Sequence, residues 1–172
     1  MNYYIDVDIA HRDYRMMSLV FTRIHYALFN HRQRDIGISF PRMISDSLGT
    51  MIRLQAPTRA HFEYIGEALE AIERYAHVSY IKKIPDDCRW GIVRQFRSNK
   101  LSPSRVRRLI RRGADPKKLE AMEINTPRLH LFSKSSHKPI VLRFEALEAN
   151  RSHSGVFTSY GLSKDGSTVA MF

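Results

Sequence analysis

Apolar residues alternate at Tyr3, Ile5, Val7 and Ile9, which predicts a strand with one buried face. From Met16 to His31 the period lengthens. Met17, Val20, Phe21, Ile24 and Leu28 recur at steps of three and four, the stripe of an amphipathic helix. Ile36–Phe40 predicts a short strand ended by Pro41, and Met51–Ala56 alternates again. Pro57-Thr58 introduces a helix over Arg59–Tyr75 with Ala60, Tyr64, Ala68, Leu69 and Ile72 in period, and Val78–Ile84 follows as a strand. Pro85-Asp86-Asp87 marks a boundary. The fold class expected is therefore α+β: a ferredoxin-like βαββαβ domain over residues 1–87, then a smaller basic α+β domain over 88–172.

In the second half, strands are expected at Trp90–Phe96, Arg128–Phe132, Ile140–Phe144 and Phe157–Tyr160, with a short helix around Lys117–Met122. Between the second and third of these strands, Ser133–Pro139 is polar, basic and rich in hydroxyls. The segment 103–112 reads as a helix: Ser102 suits the N-cap, Pro103 the first helical position and Gly113 the residue past the end. Val106, Leu109 and Ile110 share an arc of about 100°, and Arg105, Arg107, Arg108, Arg111 and Arg112 fill the other side. The apolar face is expected to anchor the helix while the guanidinium groups point outward. A solvated helix normally interleaves Glu with Arg, yet nine Lys or Arg and no Asp or Glu lie between Cys88 and Ala114. A polyanion, most economically a nucleic-acid backbone, is the partner this implies.

Charge agrees with that division. Of the net charge of +11, none belongs to residues 1–87, which hold eleven Lys/Arg and eleven Asp/Glu; residues 88–172 hold seventeen against six. A neutral half reads as scaffold and a basic half as binding surface. No apolar run approaches ~18 residues, so no membrane partner is expected. Cys88 is the only cysteine, which excludes a disulfide framework and a cysteine zinc site. The first residues show no basic stretch followed by an apolar core, so a cytoplasmic protein is expected. The eight histidines form no metal motif, and no Gly-rich phosphate loop or nucleophile elbow is present, so no metal and no cofactor are expected. An enzyme of this kind acting on nucleic acid is best suited to RNA. The 2′-hydroxyl is an internal nucleophile, and a base, an acid and groups that fix geometry suffice.

Three separated motifs carry a resemblance: Phe21-Thr22-Arg23-Ile24-His25-Tyr26-Ala27-Leu28, Ile36-Gly37-Ile38-Ser39-Phe40-Pro41, and Gly155-Val156-Phe157-Thr158-Ser159-Tyr160-Gly161-Leu162-Ser163-Lys164. Together, with the arginine-rich helix in order between them, they resemble the CRISPR-associated endoribonuclease of type I-F systems, which processes precursor CRISPR RNA. The resemblance runs over nearly the whole chain.

It implies a site. The family's catalytic histidine corresponds to His25, which the helical stripe places at its border rather than its centre. Anionic phosphates nearby are expected to raise its pKa. The serine that holds the ribose before the cut corresponds to Ser133, a second serine of that loop to Ser135, and the tyrosine that orients the histidine to Tyr160. The groove-binding helix corresponds to the arginines at 105, 107, 108, 111 and 112, and a base reader to Gln95, with Arg94 and Arg97 as nearby candidates. Arg suits guanine and Gln adenine. Two positions depart from the family's pattern. Val93 stands where an arginine is usual, and Ile140 where an aromatic ring caps the foot of the stem.

The resemblance further implies a metal-independent endoribonuclease that cuts at the 3′ base of a repeat hairpin by 2′-OH attack, leaving a 5′-hydroxyl and a 2′,3′-cyclic phosphate. It implies the crRNA repeat hairpin as partner, with other subunits of a type I-F effector complex, and a monomer outside that complex. Two rival readings are a catalytically silent hairpin-binding subunit of an effector or transposon-linked complex, and a basic RNA-scaffold protein.

Overall fold

The computed structural model describes residues 1–9, 14–96, 103–117, 126–133 and 137–172. The first sheet contains β1 (Tyr3–Ile9), β2 (Gly37–Ser39), β3 (Met51–Ala56), β4 (Ala76–Val78) and the two-residue β5 (Lys82–Lys83). Its order is β2-β3-β1-β4, with β5 also on β1, and every neighbouring pair is antiparallel. It follows that β1 and β2 run parallel with β3 between them, and β3 and β4 run parallel with β1 between them. Parallel strands need a crossover, and the two helices supply it: α1 (Tyr14–Asn30) joins β1 to β2, and α2 (Gly66–Ile72) joins β3 to β4. The stripe expected on α1 is the one buried. Met17, Val20, Phe21, Ile24 and Leu28 pack against Ile5, Val7 and Ile9 of β1 and Ile52 and Leu54 of β3 in one core.

Some expected elements differ. Arg59–Tyr75 is not one α-helix but a 3-10 segment, Arg59–Ile65, that passes into α2 at Gly66. The buried residues are Phe62, Ile65, Leu69 and Ile72, whereas Tyr64 is exposed. The three-residue step from Phe62 to Ile65 suits the tighter winding. The strand expected at Val78–Ile84 breaks into β4 and β5 around Ser79–Ile81, where Ser79 turns its hydroxyl to the Asp6 amide and Tyr80 projects outward.

The second sheet has order β7-β8-β6-β9 and is antiparallel throughout: β6 (Arg89–Gln95), β7 (Arg128–Ser133), β8 (Lys138–Ala149) and β9 (Val169–Met171). β8 is far longer than the expected Ile140–Phe144, because it pairs with β7 through its first half and β6 through its second. β7 lies against α1, and Phe144 meets Phe21 edge-on at 5.7 Å and Phe40 at 5.1 Å. Val93, Leu129, Leu131, Leu142 and Phe144 thereby join the same core as the α1 stripe. Helix α1 is covered on one side by the first sheet and on the other by the second. No described helix is long and apolar enough to cross a membrane.

The C-terminal segment ties the sheets together. Gln55, fully buried on β3, donates to Ser39 Oγ at 3.0 Å and the Ala170 carbonyl at 2.8 Å, and accepts from the Ala170 amide at 2.7 Å. The amide of Phe157 donates to the Arg34 carbonyl, that of Ile38 to the Gly161 carbonyl, and that of Ser163 to the Val93 carbonyl. The strand expected at Phe157–Tyr160 is instead one side of a tight turn, closed by an isolated bridge between Phe157 and Ser163. The Gly161 amide donates to the Thr158 carbonyl at 2.9 Å, and Gly161 takes φ +69°. A Cβ at Gly161 would lie 2.5 Å from Ile38 Cγ1, so the turn demands glycine for both its backbone and its space. β9, absent from the periodicity reading, is three residues long and mostly buried.

Candidate active site

His25 sits on α1 one turn beyond Phe21, where the apolar stripe gives way to solvent. The turn at 157–163 closes over it. The ring of Tyr160 lies flat on the imidazole, centroids 3.9 Å apart and planes 13° apart, and is also near parallel to Phe21 at 6.2 Å and 8°. Phe21 and His25 are neighbours on one helix face, so a single ring from another segment can cover both. His25 Nδ1 lies 2.8 Å from the Ser159 carbonyl. A carbonyl oxygen can only accept, so Nδ1 carries the proton and Nε2 of the neutral ring keeps the lone pair. Thr158 Oγ1 accepts from the amides of both Tyr160 and Leu162, which braces the same turn.

The electrostatics favour that neutral form. Burial is the largest influence and pushes the His25 pKa below its ordinary value; the Ser159 hydrogen bond opposes it, and the positive charge of Arg34 adds to it. The rise expected from the sequence belongs to a complex with phosphates; the protein by itself holds the group low. Burial, with Tyr26 nearby, pushes the Tyr160 phenol up, so its hydroxyl stays protonated.

The remaining candidates lie on the second sheet and on α3. Ser133 is the last residue of β7, its Cα opposite Lys138, on a strand that packs against α1. Ser135 and Arg97 lie outside the described residues, as do residues 118–122 of the expected short helix and the side chains of Ser133 and Arg105. Gln95 ends β6 with its side chain exposed, its Cα opposite Phe144. Arg94, on the other face, donates from Nε to Glu145 Oε1 at 2.6 Å across the strand pair, so its guanidinium is already held by a carboxylate. Val93 is in the core. Ile140 is half-buried on β8 opposite Leu131 and packs against the core.

Helix α3 (Pro103–Arg111) forms where its punctuation predicts. The Ala114 amide donates to the Leu109 carbonyl and the Gly113 amide to the Ile110 carbonyl, with Gly113 at φ +86°: a Schellman end built on the glycine expected there. Arg107, Arg108, Arg111 and Arg112 are exposed. Of the apolar face expected to anchor the helix, the side chain of Val106 lies outside the described residues. Ile110 is 41% exposed and Leu109 half-buried.

Three neighbours of His25 have no counterpart among the residues picked from the sequence. Tyr26 and Phe29 present rings 5.5 Å and 6.2 Å from the imidazole, and Arg34 faces it with its charge. The sequence does place Phe29 one helical turn from His25, which is the signal that could have found it. The Ser159 carbonyl carries no signal at all, because backbone groups look alike in any sequence. Among the described residues, no three His, Cys, Asp or Glu side chains come together to hold a metal ion.

The family model described as CRISPR-associated protein (Cas_Csy4) matches residues 3–172. Comparison with curated proteins finds no match. The chain belongs to the Cas_Csy4 family, whose members are CRISPR-associated endoribonucleases that bind and process repeat RNA.

Proposed function

Given that family, we propose that the protein cuts precursor crRNA once per repeat, at the 3′ base of the hairpin stem, with His25 as general base and without a metal ion. Nε2 of the neutral imidazole takes the proton of the 2′-hydroxyl before the cut. The 2′-oxygen forms its bond to phosphorus, and the P–O5′ bond breaks. The departing 5′-oxygen gains a proton from the imidazolium or from water, leaving a 5′-hydroxyl and a 2′,3′-cyclic phosphate. The observation that carries this reading is the hydrogen bond from Nδ1 to the Ser159 carbonyl, which assigns the lone pair to Nε2. Tyr160 fixes the ring plane by stacking. Ser133, at the end of the strand beside α1, holds the ribose, and Ser135 supports it from the following loop.

Hairpin recognition falls to the second half of the chain. The arginines of α3 contact phosphates on both walls of the A-form groove, reading shape and charge more than sequence. An isolated helix of this length is marginal in water, and a phosphate lattice would stabilise it. Gln95, with Arg94 and Arg97, reads base edges at the foot of the stem. Arg94 first has to leave Glu145 or share itself with it. Ile140 caps the last base pair with an aliphatic surface. The cut lies outside the stem, so these contacts survive it. The product hairpin stays bound, and the protein remains on it as a subunit of a type I-F effector complex.

The test is a repeat hairpin of the type I-F kind, labelled at its 5′ end and incubated with the protein in excess EDTA, beside His25→Ala. A single cut by the parent, lost in the variant while hairpin binding persists, is expected. Binding by both without cutting would favour a silent hairpin-binding subunit.

A further inference from the structure

Phe29 is 56% exposed, yet it stands beside the candidate base. It lies one turn after His25 on α1, its ring 6.2 Å from the imidazole and tilted 51° to it. Tyr160 already occupies one face of the imidazole by stacking, so Phe29 is a separate aromatic surface at the edge of the site. A lone exposed apolar residue needs no explanation, but this one borders the reacting atoms of an RNA-cutting enzyme. An exposed ring is a stacking platform for any unpaired base.

Its position selects which base. The described residues assigned above to the stem or to the ribose before the cut lie on β6, β7 and β8 or on α3 and its end. Phe29 lies instead on α1, past His25 and toward the helix end, where Asn30, His31 and Arg32 are all exposed. Arg32 and Arg34 bring positive charge to this end of α1, with the exposed Asp35 beside them, and the Phe157 amide ties the Arg34 carbonyl to the same clamp that carries Tyr160. An RNA strand that leaves the stem and runs on past His25 along α1 would meet this surface.

We propose that Phe29 forms a stacking subsite for the nucleobase of the first nucleotide on the 3′, leaving side of the cut. The inference rests on the proposed function and extends it from the attacking to the leaving side. Attack by the 2′-oxygen requires the P–O5′ bond to lie opposite it. The stem fixes only the nucleotide before the cut, and the one after it is otherwise free to rotate. Stacking its base on Phe29 confines O5′ to the in-line position, so the effect falls on the cleavage step and not on hairpin affinity.

The experiment compares two hairpins under single turnover, one with a natural nucleotide after the cut and one abasic there, using the parent, Phe29→Ala and Phe29→Trp. The parent is expected to cut the natural substrate on the order of tenfold faster than the abasic one. Phe29→Ala should cut both at one slow rate, Phe29→Trp should restore the preference, and all three should bind the cleaved hairpin equally. A preference kept in full by Phe29→Ala, or none in the parent, overturns the subsite. A second reading needs no cutting. 2-Aminopurine placed after a 2′-deoxy cut position should be quenched on binding to the parent and not to Phe29→Ala; equal signals with both count against stacking. If the parent cuts neither RNA, the proposed function fails, and the fluorescence still decides the subsite.

Discussion

The imidazole of His25 and the ring of Tyr160 stack face to face at 3.9 Å although 135 positions separate them in the chain. The contact is between rings, and the Tyr160 phenol is held protonated by burial. Tyr160→Phe should therefore cut at nearly the parent rate, whereas Tyr160→Ala should lose about ten- to a hundredfold, the scale on which a mispositioned reacting group is felt. Single-turnover cleavage beside hairpin affinity checks this; loss in Tyr160→Phe would move the role from the ring to the hydroxyl.

The pH dependence has a definite sign. His25 titrates below the ordinary 6.5, chiefly through burial, so the folded protein binds fewer protons there than the unfolded chain. Its contribution to stability is complete above the unfolded pKa and is lost as pH falls through that value toward the folded one. Cleavage by the neutral imidazole should rise with pH through the His25 pKa and then level, with bound RNA shifting the rise upward. Arg34→Gln removes a charge that lowers this pKa, so His25 should titrate higher in that variant. Proton NMR of the imidazole across the titration measures both, and a lower value in Arg34→Gln would contradict the assignment.

Gly161→Ala tests the clamp. The substitution forces a side chain into φ +69° and onto Ile38, a strain of about 1–3 kcal/mol. The turn carries Ser159 and Tyr160, so cleavage should fall more than stability does, even at temperatures where the variant is fully folded. Urea unfolding and single-turnover rates on the same preparation separate the two.

Gln55→Leu tests the tie between the sheets. It leaves the buried amide and carbonyl of Ala170 without the partners Gln55 provides, at about 1–3 kcal/mol for each stranded group. The urea midpoint should drop with little change in slope.

For α3, Arg108→Ala and Arg111→Ala should each weaken hairpin binding and reduce the slope of log K against log salt by about one per lost phosphate contact. The cut rate on saturated protein should not change, because both side chains act on the stem.

Much of this was legible in the chain itself. The stripe from Met17 to Leu28, the alternation in β1 and β3, and the start of α3 at Pro103 and its close at Gly113 are local patterns, and they form because neighbours in sequence are neighbours on a strand or helix. The border position of His25 was visible for the same reason. The charge asymmetry, too, is a property of composition, and α3 displays its exposed arginines accordingly. The tertiary structure decided the rest. It turned the expected strand at 157–160 into a clamp, because Gly161 and the bonds to Arg34, Ile38 and Val93 outweigh local β preference. It made β9 from three residues too few to show a period, held by Gln55 from 115 positions away. It also set Ser159, Tyr160 and Arg34 around one imidazole. Local propensity acts over a few residues, whereas a tautomer and a ring plane are fixed by groups that only the packing of both sheets on α1 brings together.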